Sequence, residues 1–564
     1  MSTHKRDSAR LALLALVVTG SCWCVAKTIP VKECGILKKA RATYILQNDV
    51  SSEGTCFSVQ DDEISLDLNG HTITYAVRDN TGRRHAIIGS ACYGPHLDNN
   101  PCGGTFKNLT VQNGKIVQGS SAAPFSDAIR IGQGGGTNLT VTNVEFDIST
   151  PSAKAIHTTY AKGGQRISRN TIRSRVTSIG SRHQLDGVTI KLETDNTASS
   201  APSEVHHNTI IGSAQGGILV TAPNSRVYEN TISLNANYTN DFCIYAWAPG
   251  AEIFGNQCDN TQGTSMGRGV HVSSPGVSVH HNVIKVRELP RNQEYSGCQT
   301  GGAYGIQLER SADKTLVYEN DVTAIADACD AIAMRATTIP ASASNEIYDN
   351  RLTAVRAATA KGKAAAFSPN NVSGGILLRG NRLISDTAAV LVPWDGAQGI
   401  RFENTTFEIG SNPPPDGWAM FVFNNAKPSD ELYVRDPKFV GRASATAKMR
   451  PVGFGKWAGQ AGFRVEWTTT IRVASSRNSP VSGALVTITD AAGNSVFSEK
   501  TDGKGVAIAT LIEQSVRNTK TEAISKQKSS PYFIQVESPG IGFAKRQIQA
   551  LRTQEIELVL EAAR

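Results

Sequence analysis

Aromatic residues are scarce, at 6% of the 564-residue chain. A core built round a few large rings is therefore excluded, and the 51 glycines point instead to many tight turns around small, evenly filled layers. No Lys/Arg tract carries interleaved aromatics, so a nucleic-acid partner is not indicated. No C-x-x-C pair or Cys/His spacing suggests zinc. No segment beyond the N-terminus is long and apolar enough for a membrane helix, and no membrane span is expected. Hydrophobic residues at 40% and charged residues at 19% exclude a disordered chain.

What is present begins with an export signal. Lys5, Arg6 and Arg10 make a charged region, and Leu11 to Val18 is an apolar run too short to span a bilayer. Cleavage after Ala26 gives a signal peptide over residues 1–26. Thr19-Gly20-Ser21-Cys22 also resembles a lipoprotein box, with Thr19 where Leu is usual. A secreted, periplasmic or cell-surface protein is expected, with lipidation at Cys22 as an alternative. Eight of the ten cysteines lie beyond this segment, an even number in an oxidising compartment, so disulfides are expected. Cys34 with Cys56 and Cys92 with Cys102 are local pairs, and Cys243, Cys258, Cys298 and Cys329 can form two more. The 57 Lys+Arg against 49 Asp+Glu leave a formal +8, which suits an acidic polymer partner.

Internal repetition decides the fold. A phrase close to x-Ile-x-x-Asn-x-Ile recurs as Val205-His206-His207-Asn208-Thr209-Ile210, Val227-Tyr228-Glu229-Asn230-Thr231-Ile232 and Val279-His280-His281-Asn282-Val283-Ile284. It returns at Asn320, Asn350 and Asn404, and upstream Asn113, Asn143 and Asn170 fit the same slot. The step is about 22 to 38 residues, as in a solenoid with variable turns. Between these phrases lie short strands with apolar residues two apart, such as Ile129-Arg130-Ile131, Val188-Thr189-Ile190, Ile218-Leu219-Val220 and Ile306-Gln307-Leu308. Two or three strands per step, separated by Gly/Asn/Ser turns, stack as coils and pair in parallel with their copies one coil away. The recurring Asn bonds along the stack and satisfies backbone groups that the bend frees. About twelve coils predict a rod on the order of 55–60 Å. Ile64-Ser65-Leu66-Asp67-Leu68-Asn69-Gly70-His71-Thr72-Ile73, a strand, a turn and a strand, offers a lid for the N-terminal end.

On this repeat, and on the Leu66-to-Ile73 phrase, residues 27–440 resemble the pectin-lyase-like right-handed parallel β-helix superfamily. The resemblance implies fold more than activity, because the superfamily holds lyases, hydrolases, epimerases and non-catalytic members. The rhythm stops near Val440. A linker over 441–462 leads to alternating strands around Ile471, Val486, Ile534 and Leu558, with turns at Asp490 to Asn494 and Thr501 to Gly505. Residues 463–564 resemble the carboxypeptidase-regulatory-like, transthyretin-like β-sandwich, which implies an accessory module. The fold class expected is all-β, a right-handed parallel β-helix followed by a small antiparallel β-sandwich.

In such a solenoid a binding groove lies on the outer face of one sheet. Aligned on inward Ile and Val positions, one outward column runs Asp127, Lys154, Asp186, Gly216, Phe242, Arg268, Tyr304, Asp330. The next runs Arg130, His157, Thr189, Leu219, Tyr245, His271, Gln307, Ala333, and the third Gly132, Thr159, Lys191, Thr221, Trp247, Ser273, Glu309, Arg335. Aromatics to stack on sugars, cations to hold uronate or sulfate, and carboxylates or His to move protons make this mixture suit binding and processing of an acidic polysaccharide. In a lyase-like reading Arg130 and Lys191 neutralise a uronate, and His157, Tyr245 or Lys191 is the base. Asp186 to Lys191, followed by Asp195-Asn196-Thr197, resembles the catalytic coil of the chondroitinase-B and alginate-lyase group, without that group's arginine on the next coil, where Thr221 stands. In a hydrolase-like reading Asp127 and Asp186 lie two coils and roughly 10 Å apart, although the Asp-Asp pair and Arg-Ile-Lys phrase of polygalacturonase-like enzymes are missing. In a third reading the helix is a non-catalytic adhesion or structural rod, and Asp127, Asp186 and Asp330 cap turns. His206, His207, His280 and His281 then serve as outward filler. The candidate catalytic residues are Lys191, Asp186, His157 and Arg130; the candidate substrate-binding residues are Asp127, Tyr245, Trp247, His271, Glu309 and Arg335. No metal site or cofactor is expected, calcium being left open, and the protein is expected to be a monomer.

Overall fold

The computed structural model describes residues 27–78, 82–89, 107–132, 136–175, 185, 187–194, 200–212, 216–235, 241–262, 267–288, 302–327, 329–358, 360–393, 396–414, 417–424, 431–441, 451–454, 461–518 and 524–561. The export segment, Asp186, Cys92, Cys102 and Cys298 lie outside the described residues. All regular structure among the described residues is β-strand.

Three parallel ladders run along the rod. The first begins at Lys27–Val31 and reaches Glu431–Arg435, and the second runs from Val50–Ser51 to Lys438–Val440. The third has fifteen strands, from Gly35–Leu37 to Pro451–Phe454. In two coils the first and second strands fuse into the long strands Thr110–Gln118 and Thr140–Ile148, which pair with both ladders. Fifteen strands at one coil spacing make a rod of roughly 65–70 Å, longer than the sequence repeat implies. The additional coils are those without the asparagine phrase. Val205, Ile210, Val227, Ile232, Ile253 and Val279 fill the interior and are essentially inaccessible.

Eight asparagines form an internal ladder at the bend between the first and second strands: Asn170, Asn208, Asn230, Asn256, Asn282, Asn320, Asn350 and Asn381. Asn256 shows the pattern. Its Nδ2 donates to Val227 O at 2.9 Å and to Asn282 Oδ1 at 3.0 Å, while its Oδ1 accepts from Asn230 N at 3.0 Å. The backbone amides of Val144 and of the seven ladder asparagines from Asn170 to Asn350 are thereby satisfied in a buried bend, where an unmade bond is costly. Asn113, Asn143 and Asn404 do not belong to this ladder. They stand one residue earlier, in the left-handed region (φ +59°, +55° and +49°), and Gly114, Val144 and Thr405 take the inward slot. Asn suits both positions, because its short amide tolerates left-handed backbone as readily as it donates along a stack. Asn256 and Asn381 depart from the Ile-based phrase, because Cys258 replaces the second Ile in one coil and Leu378 and Leu383 replace both in the other.

The phrase around Leu66 is an interior coil rather than a lid. Ser65–Asp67 pairs with Ala42–Leu46 on one side and with Thr110–Gln118 on the other, and Lys27–Val31 stands outside them. On the outer side of the first ladder, His206, Tyr228, Phe254, His280, Tyr318 and Tyr348 stack face to face, with ring centroids 4.6 to 5.2 Å apart. Their faces contact one another along the rod, so His206 and His280 are members of a ring column.

At the C-terminal end, Gly462–Ala474 pairs in parallel with Glu431–Arg435 and antiparallel with Val506–Asn518. A separate antiparallel sheet is ordered Ser495–Lys500, Leu485–Thr489, Tyr532–Ser538, Gly542–Ile548. Pro451–Phe454, within the stretch read as a linker, is the last strand of the third ladder. Disulfides join Cys34 to Cys56 and Cys243 to Cys258, the second crossing the interior of one coil, and Cys329 is also disulfide-bonded.

Candidate functional site

The observed pairing of the third ladder changes the expected columns at two coils. His157 lies opposite Lys191, not Thr189, and Val188, not Asp186, lies opposite Gly216. Gln307 lies opposite Arg335, not Ala333, and Tyr304 opposite Ile332, not Asp330. Both differences are slips of two residues, which alternation does not detect, and they carry Val188 and Ile332, read as inward, to the outer face. Asp330 accepts the backbone N–H of Lys363 at 2.8 Å, as a turn-capping carboxylate does.

One consequence is that Arg130, His157 and Lys191 stand in direct register on three successive coils. Glu193 joins them, an outward residue two beyond Lys191 that the sequence reading passed over. Asp127, fully buried, accepts from Lys154 N at 2.9 Å with one oxygen; with the other it accepts from His157 Nδ1 at 2.8 Å and Arg130 Nη1 at 3.1 Å. Lys191 Nζ lies 3.0 Å from Glu193 Oε1, and His157 Nε2 lies 3.7 Å from Glu193 Oε2. Burial alone would raise Asp127, but the charges of Lys154, His157 and Arg130 outweigh it and hold the carboxyl well below the usual carboxylate range. Burial and the neighbouring Arg130 push His157 down to about 4. Glu193, despite burial, is held at about 2 by His157 and Lys191. Each cation of this cluster therefore meets a carboxylate of the protein itself, and His157 and Lys191 are buried.

Beyond it, Val188, Leu219 and Phe242, with Leu185 and Tyr245 against them, form an apolar cluster on the outer face. A second outer cluster, including Tyr304, Ile332, Ala365 and Leu391, covers the ladder further along. Between the two lies an open cleft of about 550 Å³ lined by Leu185, Phe242, Tyr245, Trp247, Arg268, His271, Ser273, Glu309, Arg310 and Ser311. Phe242–Ala246, Arg268–Val272 and Ala303–Glu309, one coil apart, carry five of these ten residues. The expected Tyr245, Trp247, His271 and Glu309 are thus brought together. Arg335 is not among the lining residues; its guanidinium lies 4.5 Å from the Tyr304 ring centroid.

Tyr245 stacks on His271 with ring centroids 4.3 Å apart and lies nearly parallel to Trp247, whose side is 46% accessible. His271 Nε2 donates to Glu309 Oε2 at 2.8 Å, and Arg268 Nη1 lies 3.4 Å from His271 Nδ1. The bond from His271 holds Glu309 at about 2. Burial lowers His271, and the nearby charge of Arg268 adds to this. Burial raises the Tyr245 phenol, whose oxygen accepts from Ser273 Oγ at 3.0 Å. Arg268, Arg310 and Ser273 are lining residues absent from the candidate set. Arg268 and Ser273 stood in the outward columns, but only the walls around them distinguish these positions from other solvated ones. Among the described residues, no group of three or more His, Cys, Asp or Glu side chains is placed to hold a metal ion, and no helix is long and apolar enough to cross a membrane.

The chain matches no protein-family model and no curated protein. Among solved structures, two mutants of the tailspike protein of E. coli bacteriophage HK620, each in complex with a pentasaccharide, align with it at 11% identity. The alignments cover 91% of this chain and 87% of those, with TM-scores of 0.46 and 0.43.

Proposed function

We propose that this protein is exported and holds an acidic polysaccharide in the Trp247 cleft. One observation carries the reading: an accessible indole stands beside two arginines, Arg268 and Arg310, in an open cleft flanked by apolar clusters. An indole stacks on the CH face of a sugar, and guanidinium groups pair with carboxylate or sulfate. Export is supported by the disulfides, which persist in oxidising compartments. Hydrolysis fits poorly, because it needs two carboxyl groups with one protonated. Among the described lining residues Glu309 is the one carboxylate, and it is held ionised.

A second reading, β-elimination, is favoured by the pairing of a neutral imidazole with a protonated phenol in the same cleft. An arginine bound to a uronate carboxylate acidifies the C5 proton. His271 would take that proton, the C4–O bond would break as the C4–C5 double bond forms, and Tyr245 would protonate the departing oxygen.

The test is a panel of acidic and neutral polysaccharides, scored for binding, for ultraviolet absorbance of unsaturated ends and for new reducing ends. Binding of an acidic polymer is expected, weakened at least about 30-fold, or about 2 kcal/mol, by Trp247→Ala with no change in melting temperature. Absorbance that disappears in Tyr245→Phe and His271→Gln would establish elimination. Binding without either product signal would make the protein an adhesion or recognition rod. Failure to bind every acidic polymer would refute the reading.

A further inference from the structure

Trp247 belongs to two clefts. Besides the charged one, it lines a second cleft of about 540 Å³ together with Thr221, Asn224, Pro249, Gly250 and Ser274. The two differ in charge. Arg268, His271, Glu309 and Arg310 line the first, whereas none of the described residues lining the second is charged.

The second cleft is walled by the turn that follows each strand of the third ladder. Asn224, Gly250 and Gly276 occupy one left-handed slot on three successive coils, with φ of +55°, +69° and +68°. Their N–H groups donate to the next coil, Asn224 to Pro249 O at 2.8 Å, Gly250 to Pro275 O at 2.9 Å and Gly276 to Asp313 O at 2.7 Å. Backbone bonds thus hold the wall, and Ser225 Oγ donates to Ala222 O at 2.7 Å within the first of these turns. Asn224 is exposed, and a Cβ at Gly250 would come within 2.3 Å of its Oδ1, so the glycine leaves room for the carboxamide. Indole and proline faces present apolar surface, and the Asn224 carboxamide and the Ser274 hydroxyl offer both donors and acceptors, while the Thr221 hydroxyl is engaged by Thr194. That set matches an uncharged, hydroxylated ring. A carboxylate placed there would lose water without gaining a cation.

We propose that this second cleft is a subsite for an uncharged sugar, so that the polymer recognised carries a neutral unit beside the anionic unit held by Arg268 and Arg310. The inference rests on the acidic-polysaccharide reading of the first cleft. It specifies the substrate class as a heteropolysaccharide with adjoining charged and uncharged units.

The experiment is calorimetric titration of the full chain with three oligosaccharides of equal length: a uronate homo-oligomer, an oligomer alternating uronate with neutral sugar, and a neutral homo-oligomer. Asn224→Lys and Asn224→Gly are titrated alongside. Both replacements have precedent in the same slot, Lys314 at φ +51° on the coil after Gly276, and Gly250. The alternating oligomer should bind the native chain at least about 10-fold tighter than the uronate homo-oligomer, about 1.4 kcal/mol. Asn224→Lys should erase that preference by pairing a second carboxylate, and Asn224→Gly should weaken the alternating oligomer several-fold. Equal binding of the two acidic oligomers to the native chain, or a preference that Asn224→Lys leaves intact, would overturn the neutral subsite while the acidic-polysaccharide reading stands. Binding of neither acidic oligomer, or tightest binding of the neutral one, would overturn both.

Discussion

Arg130, His157 and Lys191 share one outward column with Tyr245, His271 and Gln307, yet their surroundings differ. In the N-terminal part, Asp127 and Glu193 sit within hydrogen-bonding reach of the cations, and the cluster is closed to solvent at His157 and Lys191. In the central part Glu309 accepts from His271, the charges of Glu309 and Asp241 act on Arg268, and Arg268 and Arg310 line a cleft. Similar residue types, on different strands of one ladder, thus build an internal ion network in one place and line an open cleft in another. A charged residue's role follows from whether the protein supplies its counter-charge, because a buried charge must be compensated at home and an open one can wait for a ligand.

The sharpest way to break this comparison is at Asp127. Asp127→Asn leaves Arg130, Lys154 and His157 without their shared counter-charge, and a loss of about 3–5 kcal/mol is expected in denaturant unfolding. Acid should act on the same cluster. His157 titrates near about 4 in the folded chain but near its ordinary value of about 6.5 when unfolded, so between those pH values the unfolded state binds more protons. Its contribution is fully present above about pH 6.5 and is lost as the pH falls toward about 4, a change of about 3 kcal/mol. Melting curves of the native chain and of His157→Gln across this range should therefore converge at low pH. The smallest effect is expected at Glu309. Glu309→Gln loses one charge-assisted bond at a half-open site and should cost no more than about 1 kcal/mol in the same unfolding measurement. If it costs as much as Asp127→Asn, the cleft is as structural as the N-terminal cluster and the contrast fails.

Much of the fold was legible in the sequence. Most interior Ile and Val positions and the outward placement of Tyr245, Trp247, His271 and Glu309 follow from period-two alternation in short strands, and the coil follows from the spacing of the asparagine phrases, but Val188 and Ile332 face outward. What was not legible were the two-residue slips that brought Lys191 beside His157 and moved Arg335 one column over. Alternation repeats every two residues, so it distinguishes inside from outside but not one outward column from the next. Asn113, Asn143 and Asn404 show a related ambiguity, since the left-handed position and the ladder position adjoin and asparagine is favourable in both.

The sequence by itself determined that this chain winds into stacked parallel coils, because a residue's preference to face inward is local and recurs in every coil. Tertiary structure alone decided which charges meet. His157 reaches Asp127, thirty residues away in sequence, and Glu193 through the register of neighbouring strands, and the cleft opens where the apolar clusters around Leu219 and Ile332 stop. Turn length sets that register, and burial decides whether a charge must be paired at home or is left for a ligand.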